Sequence, residues 1–263
     1  MKFRPCIDIH NGKVKQIVGG TLRDEADQAS ENFVSDLQAE DYARLYARDG
    51  LTGGHVILLN PAGSEYYERT KAQALAALAA QPGKLQAGGG ITPENAGQFL
   101  GAGASHVIVT SYVFRGGRID FEALDRMVSA VGKDRLVLDL SCRRTEEGYR
   151  IVTDRWQKFT EVLLGDEILD QLSEYCDEYL IHAVDAEGKQ TGPERNVAAI
   201  LGRFAVESGV PVTYAGGISC FEDLDLLKKE GRGAVDVTIG SALDLFGGPM
   251  SYRQVLSYLS QNL

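Results

Sequence analysis

The sequence predicts an α/β fold, a single (β/α)8 barrel built from two duplicated half-barrels, and three observations lead there. Eight short β-branched or apolar runs alternate with helical patterns along all 263 residues. The phrase "KLQAGGGIT" at 84–92 returns almost unchanged as "VTYAGGISC" at 212–220. Finally, the landmarks recur in register: Ala87 and Ala215 are 128 positions apart, Asp8 and Asp139 are 131 apart, and Ser111 and Ser241 are 130 apart. One Gly-Gly turn after a strand is common in any α/β chain. Three matches at one spacing indicate duplication, with strands 1, 3 and 4 answering strands 5, 7 and 8. Eight β-then-α units fit a barrel of the TIM type. A doubly wound open sheet seldom needs eight regular units, and no G-x-G-x-x-G follows strand 1.

The elements run in order as follows. Strand 1 is "FRPCIDI" (3–9), and "HNG" (10–12) reads as a two-residue Asn-Gly hairpin turn that lifts "KVKQIV" above the barrel. An insertion at 19–35 precedes a helix in "SDLQAEDYARLYARDG". Strand 2 is "HVILL" (55–59), followed by a loop at 60–67 and a helix in "TKAQALAALAAQPG". Strand 3 is "KLQAG" (84–88); Thr92-Pro93 then gives an N-cap with Pro at the first helical position. Strand 4 is "HVIVTS" (106–111) and its helix is "FEALDRMVSAVG". Strand 5, "RLVLDLS" (135–141), leads into an insertion at 142–165 and a helix in "DEILDQLSEYC". Strand 6 is "YLIHAV" (179–184), with its helix in "RNVAAILGRFAVESG". Strand 7 is "PVTYAG" (211–216), and Ser219 with Glu222 forms a capping box; strand 8 is "VDVTIGS" (235–241). Several helical patterns stop at Gly, the residue that most often follows a helix. No low-complexity linker divides the chain, so one domain, 1–263, is expected, its halves meeting near 131–132.

Bulk composition narrows the function. Lys and Arg number 27 against 37 Asp and Glu, a net charge of −10, and no basic run is present. Such a chain is a poor candidate for gripping a nucleic-acid backbone. Cys6, Cys142, Cys176 and Cys220 are scattered and form no C-x-x-C pair, which argues against zinc ribbons, redox motifs and a disulfide framework. A reducing, cytoplasmic setting is expected. "MKFRPCIDIH" lacks the apolar core of a signal peptide, and no stretch reaches the ~20 apolar residues of a membrane span. Four histidines without ligand spacing disfavour a metal site.

The doubled glycines point to a doubled anion. A Gly-Gly turn leading from a strand into a helix leaves backbone N–H groups unhindered, and the helix start adds positive potential. Gly89-Gly90 makes one such cradle and Gly216-Gly217 the other. Thr110-Ser111 and Gly240-Ser241, at the ends of the neighbouring strands, are placed to close them. Barrels often bind phosphate after strands 7 and 8, and the duplication adds an equivalent place after strands 3 and 4. A small ligand with a phosphate at each end, lying across the C-terminal mouth, is therefore expected. Tight strand-to-helix packing also wants glycine, which is the competing account of each turn alone.

Two aspartates are expected beneath that ligand. Ile7 and Ile9 flank Asp8, and Leu138 and Leu140 flank Asp139; strand side chains alternate, so apolar neighbours facing the helices turn both carboxyls into the barrel. A desolvated carboxyl raised in pKa and a second kept ionised make an acid/base pair. The alternative is a cap or an ion pair with a cation such as Arg143. Asp236 alternates inward as well, but near the N-terminal end, where a salt bridge to Arg4 or Lys84 is expected. His182 is either a core histidine or part of the site, and His10 either joins the site or only precedes the turn. Asp185 and Gly188 lie where strand 6 opens and suit sugar hydroxyls. Trp156, the single tryptophan, either stacks on a flat heterocycle or packs its loop.

"CIDIHNGKVKQIVGG", "AGGGI", "VLDLSCRRT", "IHAVDAEG", "YAGGIS" and "TIGSALDLFGG" together resemble the histidine-biosynthesis barrels, in the fungal and plant type of their aldosylamine isomerases, over nearly the whole chain. The resemblance implies an Amadori rearrangement of a bisphosphorylated aminoaldose to the ketose, without cofactor or metal. It assigns Asp8 as general base at the ribose C2 and Asp139 as general acid at the ring oxygen. The chain departs from the bacterial branch in three places: Thr92 replaces an arginine, Leu58 or Leu59 an aspartate, and Ala183 a threonine. Arg143, Arg144 or a loop residue is then left to supplement the first phosphate site. The sister cyclase, which draws ammonia from a glutaminase partner and typically has Lys where His10 stands, is the nearest alternative. A non-catalytic phosphosugar-binding barrel is the other. A monomer is expected.

Overall fold

The computed structural model describes residues 1–17, 31–189 and 191–260; most of the insertion expected at 19–35 lies outside the described residues. Eight parallel strands form the frame: β1 (Cys6–His10), β4 (Gly54–Leu58), β5 (Leu85–Gly88), β6 (Val107–Val109), β9 (Leu136–Asp139), β13 (Glu178–His182), β14 (Val212–Ala215) and β15 (Val235–Thr238). Each pairs with the next in chain order. The ring closes where Arg4 N donates to Val237 O at 2.8 Å and Val237 N donates to Lys2 O at 2.9 Å. All eight expected strands are present; five are trimmed at their ends, while β1 runs one residue further, to His10, and β4 and β13 begin one residue earlier, at Gly54 and Glu178.

A helix follows every barrel strand among the described residues: α1 (Ala39–Arg48), α2 (Tyr67–Ala80), α3 (Pro93–Gly101), α4 (Phe121–Val131), α5 (Asp166–Ser173), α6 (Arg195–Ser208), α7 (Phe221–Glu230) and α8 (Tyr252–Ser260). Thr92 caps α3 as expected, with Pro93 at its start. The capping box of α7 sits one residue later than expected. Cys220 is the N-cap, and the Asp223 carboxylate, not Glu222, turns back on it. None of the described helices is long and apolar enough to cross a membrane.

Alternation along the strands sorts the interior into two cores. Ile7, Ile9, Leu136 and Leu138 face outward into the large core beneath the helices. Ile57, Ile108, Val137, Leu180 and Ala215 form a separate small cluster inside the ring. Below it, at the N-terminal end, lies a polar layer. Glu178 accepts from Gln86 Nε2 and from Thr213 Oγ1, both at 3.1 Å. Arg4 Nε donates to Asp236 Oδ2 at 2.8 Å, the salt bridge expected for that aspartate. The apolar plug therefore separates this layer from the mouth above.

Two antiparallel additions rise around the mouth. β2 (Lys13–Ile17) folds back on β1 through Asn11 and Gly12, at φ of 52° and 75°, and β3 (Glu31–Val34) pairs beside it. Positive φ at both turn residues is what an Asn-Gly hairpin of the expected kind requires. The insertion at 142–165 is a three-stranded sheet, β10 (Cys142–Thr145), β11 (Gly148–Thr153) and β12 (Lys158–Leu163). A short ribbon, β7 (Phe114–Arg115) with β8 (Arg118–Ile119), supports it through Glu161 N donating to Gly117 O at 2.7 Å.

Candidate active site

Both glycine turns have the same backbone shape. Gly89 and Gly90 have φ of 101° and 68°; Gly216 and Gly217 have φ of 118° and 81°. L-residues rarely adopt these angles, so the repeated glycines preserve a backbone shape as well as a sequence. A Cβ on Gly89 would run into the Leu58 carbonyl, and one on Gly216 would lie 2.8 Å from the Ala183 carbonyl oxygen. Each turn is thus pressed against the preceding strand's exit; a Cβ on Gly90 would meet nothing within 4 Å, whereas one on Gly217 would run into the Gly192 carbonyl.

The two turns line two adjoining hollows. A cavity of about 630 Å³ is lined by Gly89, Gly90, Thr110, Ser111, Asp139 and Trp156. A smaller pocket of about 30 Å³ is lined by Gly188, Gly216, Gly217, Gly240 and Ser241. Asp8, Gln16, His182 and Glu187 border both. The structure therefore gathers every expected site residue at the C-terminal mouth except one. Asp185 lines neither hollow. Its carboxylate accepts from Arg143 Nε at 2.9 Å and from Arg144 N at 2.8 Å, tying the loop after β13 to β10, which crosses it at the Cys142–Ala183 bridge. Arg143, expected as a cation supplementing the first cradle, lines neither hollow; Arg155 lines the large cavity. His10 is buried and lines neither hollow.

The two aspartates have different surroundings. Asp8 loses hydration in the mouth, and the Glu187 carboxylate adds repulsion; together they push its pKa up to about 7 against the His182 charge and a Gln16 contact at 3.5 Å. Asp139 is held by donors: Ser141 N at 2.9 Å, Ser141 Oγ at 2.6 Å, and His182 Nδ1 at 3.4 Å. Burial works against the His182 cation, but Asp139 outweighs it, and the imidazole rises to about 9. His55, packed edge-on to His182 with ring centres 6.0 Å apart, is driven the other way, to about 3, by burial and by that charged neighbour. One imidazole is thus a cation at neutral pH while the other is neutral.

Trp156 hangs over this pair on an unusual turn. Asp154, Arg155 and Trp156 have φ of 51°, 56° and 67°, three consecutive left-handed residues without glycine. Asp154 N donates to Ser111 Oγ at 2.9 Å, and Trp156 Nε1 donates to Ser141 Oγ at 3.0 Å. The indole lies 5.6 Å from the His182 ring, centre to centre. Its ring borders the larger cavity and its N–H joins the chain of bonds that ends on Asp139.

Sequence reasoning passed over Gln16, His55, Arg155 and Glu187. Glu187 stands between the two residues singled out in "VDAEG", Asp185 and Gly188, in a loop where strand alternation gives no signal. Burial pushes the Glu187 carboxyl up in pKa, and the facing His182 pulls it back in part. His55 sits on the inward face of strand 2, two residues before the Ile57 of the apolar plug, a position legible by alternation alone.

A family model described as "Histidine biosynthesis protein" matches residues 2–248. Among curated proteins, the chain is 52% identical over 265 residues to one from Medicago truncatula, spanning 99% of this chain and 82% of that one. It is 44% identical over 252 residues to one from Yarrowia lipolytica, spanning 94% and 93%, and 41% identical over 251 residues to one from Saccharomyces cerevisiae, again spanning 94% and 93%. All three are named 1-(5-phosphoribosyl)-5-((5-phosphoribosylamino)methylideneamino) imidazole-4-carboxamide isomerase, the Medicago protein with the further word chloroplastic.

Proposed function

Because the chain belongs to the family of histidine biosynthesis proteins, we propose that it carries out the isomerase step named for its relatives. That step is an Amadori rearrangement of an aminoaldose bearing two phosphates, an intramolecular aldose–ketose isomerisation. The observation that carries the site assignment is the pair of matched glycine turns, with Asp8, Asp139 and His182 bordering the space between them. The sister cyclase and the silent binding barrel give way to this reading.

The chemistry uses protons alone. A donor protonates the furanose ring oxygen, the C1–oxygen bond breaks, and the nitrogen lone pair completes a protonated imine. Asp8 takes the C2 proton, leaving an enaminol, and the hydroxyl proton then moves so that C1 gains hydrogen and C2 becomes a ketone. A base near neutral pKa suits this work, and each positioned transfer supplies about 10²–10⁴-fold. Asp139 serves as the acid together with His182, whose imidazolium carries the proton at neutral pH. A second reading is favoured by one observation. Glu187 is the other carboxyl at the mouth whose pKa burial raises, against the pull of His182, and it would then be the donor. Asp139→Asn and Glu187→Gln separate the two, because only the true donor's loss abolishes ring opening and with it turnover.

Thr110, Ser111, Gly240 and Ser241 close the phosphate ends in this scheme, Gly188 borders the second, and Trp156 stacks on the flat imidazole portion. No cofactor or metal takes part. We further propose a monomer, on the ground that one chain supplies all the residues used, and a reducing, cytoplasmic setting, on the ground that Cys6, Cys142, Cys176 and Cys220 are free thiols. The assay is purified protein with the aminoaldose bisphosphate and no ammonia, followed by the absorbance change of isomerisation. Turnover that needs ammonia, or no turnover, rejects the proposal.

A further inference from the structure

The two cradles are built alike but are not equally open. The hollow over Gly89 and Gly90 holds about 630 Å³, while the pocket over Gly216 and Gly217 holds about 30 Å³. The smaller figure is room for about a water or two, not for the five heavy atoms of a phosphate. Two side-chain oxygen atoms crowd this cradle, in addition to the Gly192 carbonyl and Ala186 that press on Gly217. Glu187 Oε2 lies 3.3 Å from where a Cβ on Gly216 would stand, and Gln16 Oε1 covers the same place over Gly240. Glu187 borders both hollows with Asp8, Gln16 and His182, so its carboxylate is part of the wall between them.

We propose that Glu187 is a specificity-determining residue: its carboxylate occupies the anion seat of the second cradle, so that a phosphate enters the Gly89–Gly90 cradle first and the Gly216–Gly217 cradle only by displacing it. This rests on the phosphate reading of the cradles and adds an order to it. A phosphate and a carboxylate repel, so one must leave. A free monophosphate fills the open cradle and leaves Glu187 in place beside Asp8. A second phosphate tethered to the first arrives at a high effective concentration and can expel the carboxylate toward the His182 side of the mouth. The closed cradle thus selects small ligands phosphorylated at both ends over singly phosphorylated ones.

The test labels glycine with nitrogen-15 and titrates the whole chain with inorganic phosphate, reading the amide signals of Gly89 and Gly90 against those of Gly216 and Gly217. In the native chain the first pair should titrate at a phosphate concentration about tenfold or more below the second. In Glu187→Gln and Glu187→Ala the second midpoint should fall by about tenfold while the first stays fixed, the first pair also reporting that the variants are folded. Equal midpoints in the native chain, or a second midpoint unmoved in both variants, overturn the gate and leave the cradles standing. No response at either pair in any of the three proteins removes the phosphate reading itself, and the gate with it.

Discussion

Asp139 Oδ2 and His182 Nδ1 stand 3.4 Å apart at the mouth of the barrel, on neighbouring parallel strands. The pairing places a cation between two carboxyl groups, because Asp8 feels the same imidazole from the other side. It therefore sets both limbs of the pH dependence. As a base, Asp8 works only when ionised, so kcat/KM should fall below about pH 7. His182 donates only when protonated, so the rate should also fall above about pH 9. Removing the Asp139 charge lowers the His182 pKa, and the alkaline limb of the residual turnover that Asp139→Asn retains should move to lower pH. Loss of the Glu187 charge relieves Asp8, and Glu187→Gln should move the acid limb to lower pH. Limbs that stay fixed in both variants would separate these residues from the titration.

Asp8 also costs the fold stability. Its pKa rises from 3.8 to about 7 on folding. A raised carboxyl leaves stability intact below its unfolded value and removes it progressively up to the folded one. Asp8→Asn should therefore melt higher than the native chain at pH 8, by up to about 4 kcal/mol at the upper bound, and should show no such gain below pH 4. Equal melting at pH 8 would mean that the carboxylate is better solvated than its surroundings indicate.

The glycines of the first cradle should respond unequally to alanine. Both Gly89 and Gly90 have left-handed backbone, but a Cβ at Gly90 meets nothing within 4 Å whereas one at Gly89 meets the Leu58 carbonyl. Gly90→Ala should cost only the backbone strain, about 1 kcal/mol. Gly89→Ala should cost several times that, measured by denaturant midpoint.

The polar layer at the opposite end predicts the reverse of a catalytic defect. Glu178 is 5% exposed and accepts from both Gln86 and Thr213, with Arg4 3.9 Å away. Glu178→Ala strands those groups and should destabilise the barrel by about 3 kcal/mol. The apolar plug lies between this layer and the mouth, so kcat/KM at low temperature should be unchanged. A drop in both would show that the two ends communicate.

The sole tryptophan offers a direct reading of His182. An imidazolium 5.6 Å from the indole should quench it, so emission should rise as pH passes about 9. His182→Asn should abolish that rise.

Much of this arrangement could be read from residue order, and the reasons differ by element. The strands were legible because period-2 apolar runs bounded by Gly and Pro have few other solutions, and the cradles because glycine pairs recurred in register. Asp8 and Asp139 followed from alternation. The three-stranded sheet over 142–165 was read only as an insertion, since "RRTEEGYR" lacks the continuous apolar pattern of a buried strand and is stabilised by pairing outside the barrel. Asp185 was misplaced because a loop residue after the last strand position obeys no alternation. Its direction was set by Arg143 and the Arg144 amide, from a segment some forty residues earlier. Glu187 was missed for the same reason, and the shift of the α7 cap reflects a competition between Glu222 and Asp223 that only backbone geometry decides.

The central claim is that matched turns hold one ligand at both ends above facing acidic groups. A crystal structure of the protein with the bisphosphate product bound tests it most directly. One phosphate should accept from the backbone at Gly89–Gly90 and the other at Gly216–Gly217, with Asp8 and Asp139 directed at the sugar carbons between them. A single occupied end, or carboxyls directed away from the sugar, would contradict the account.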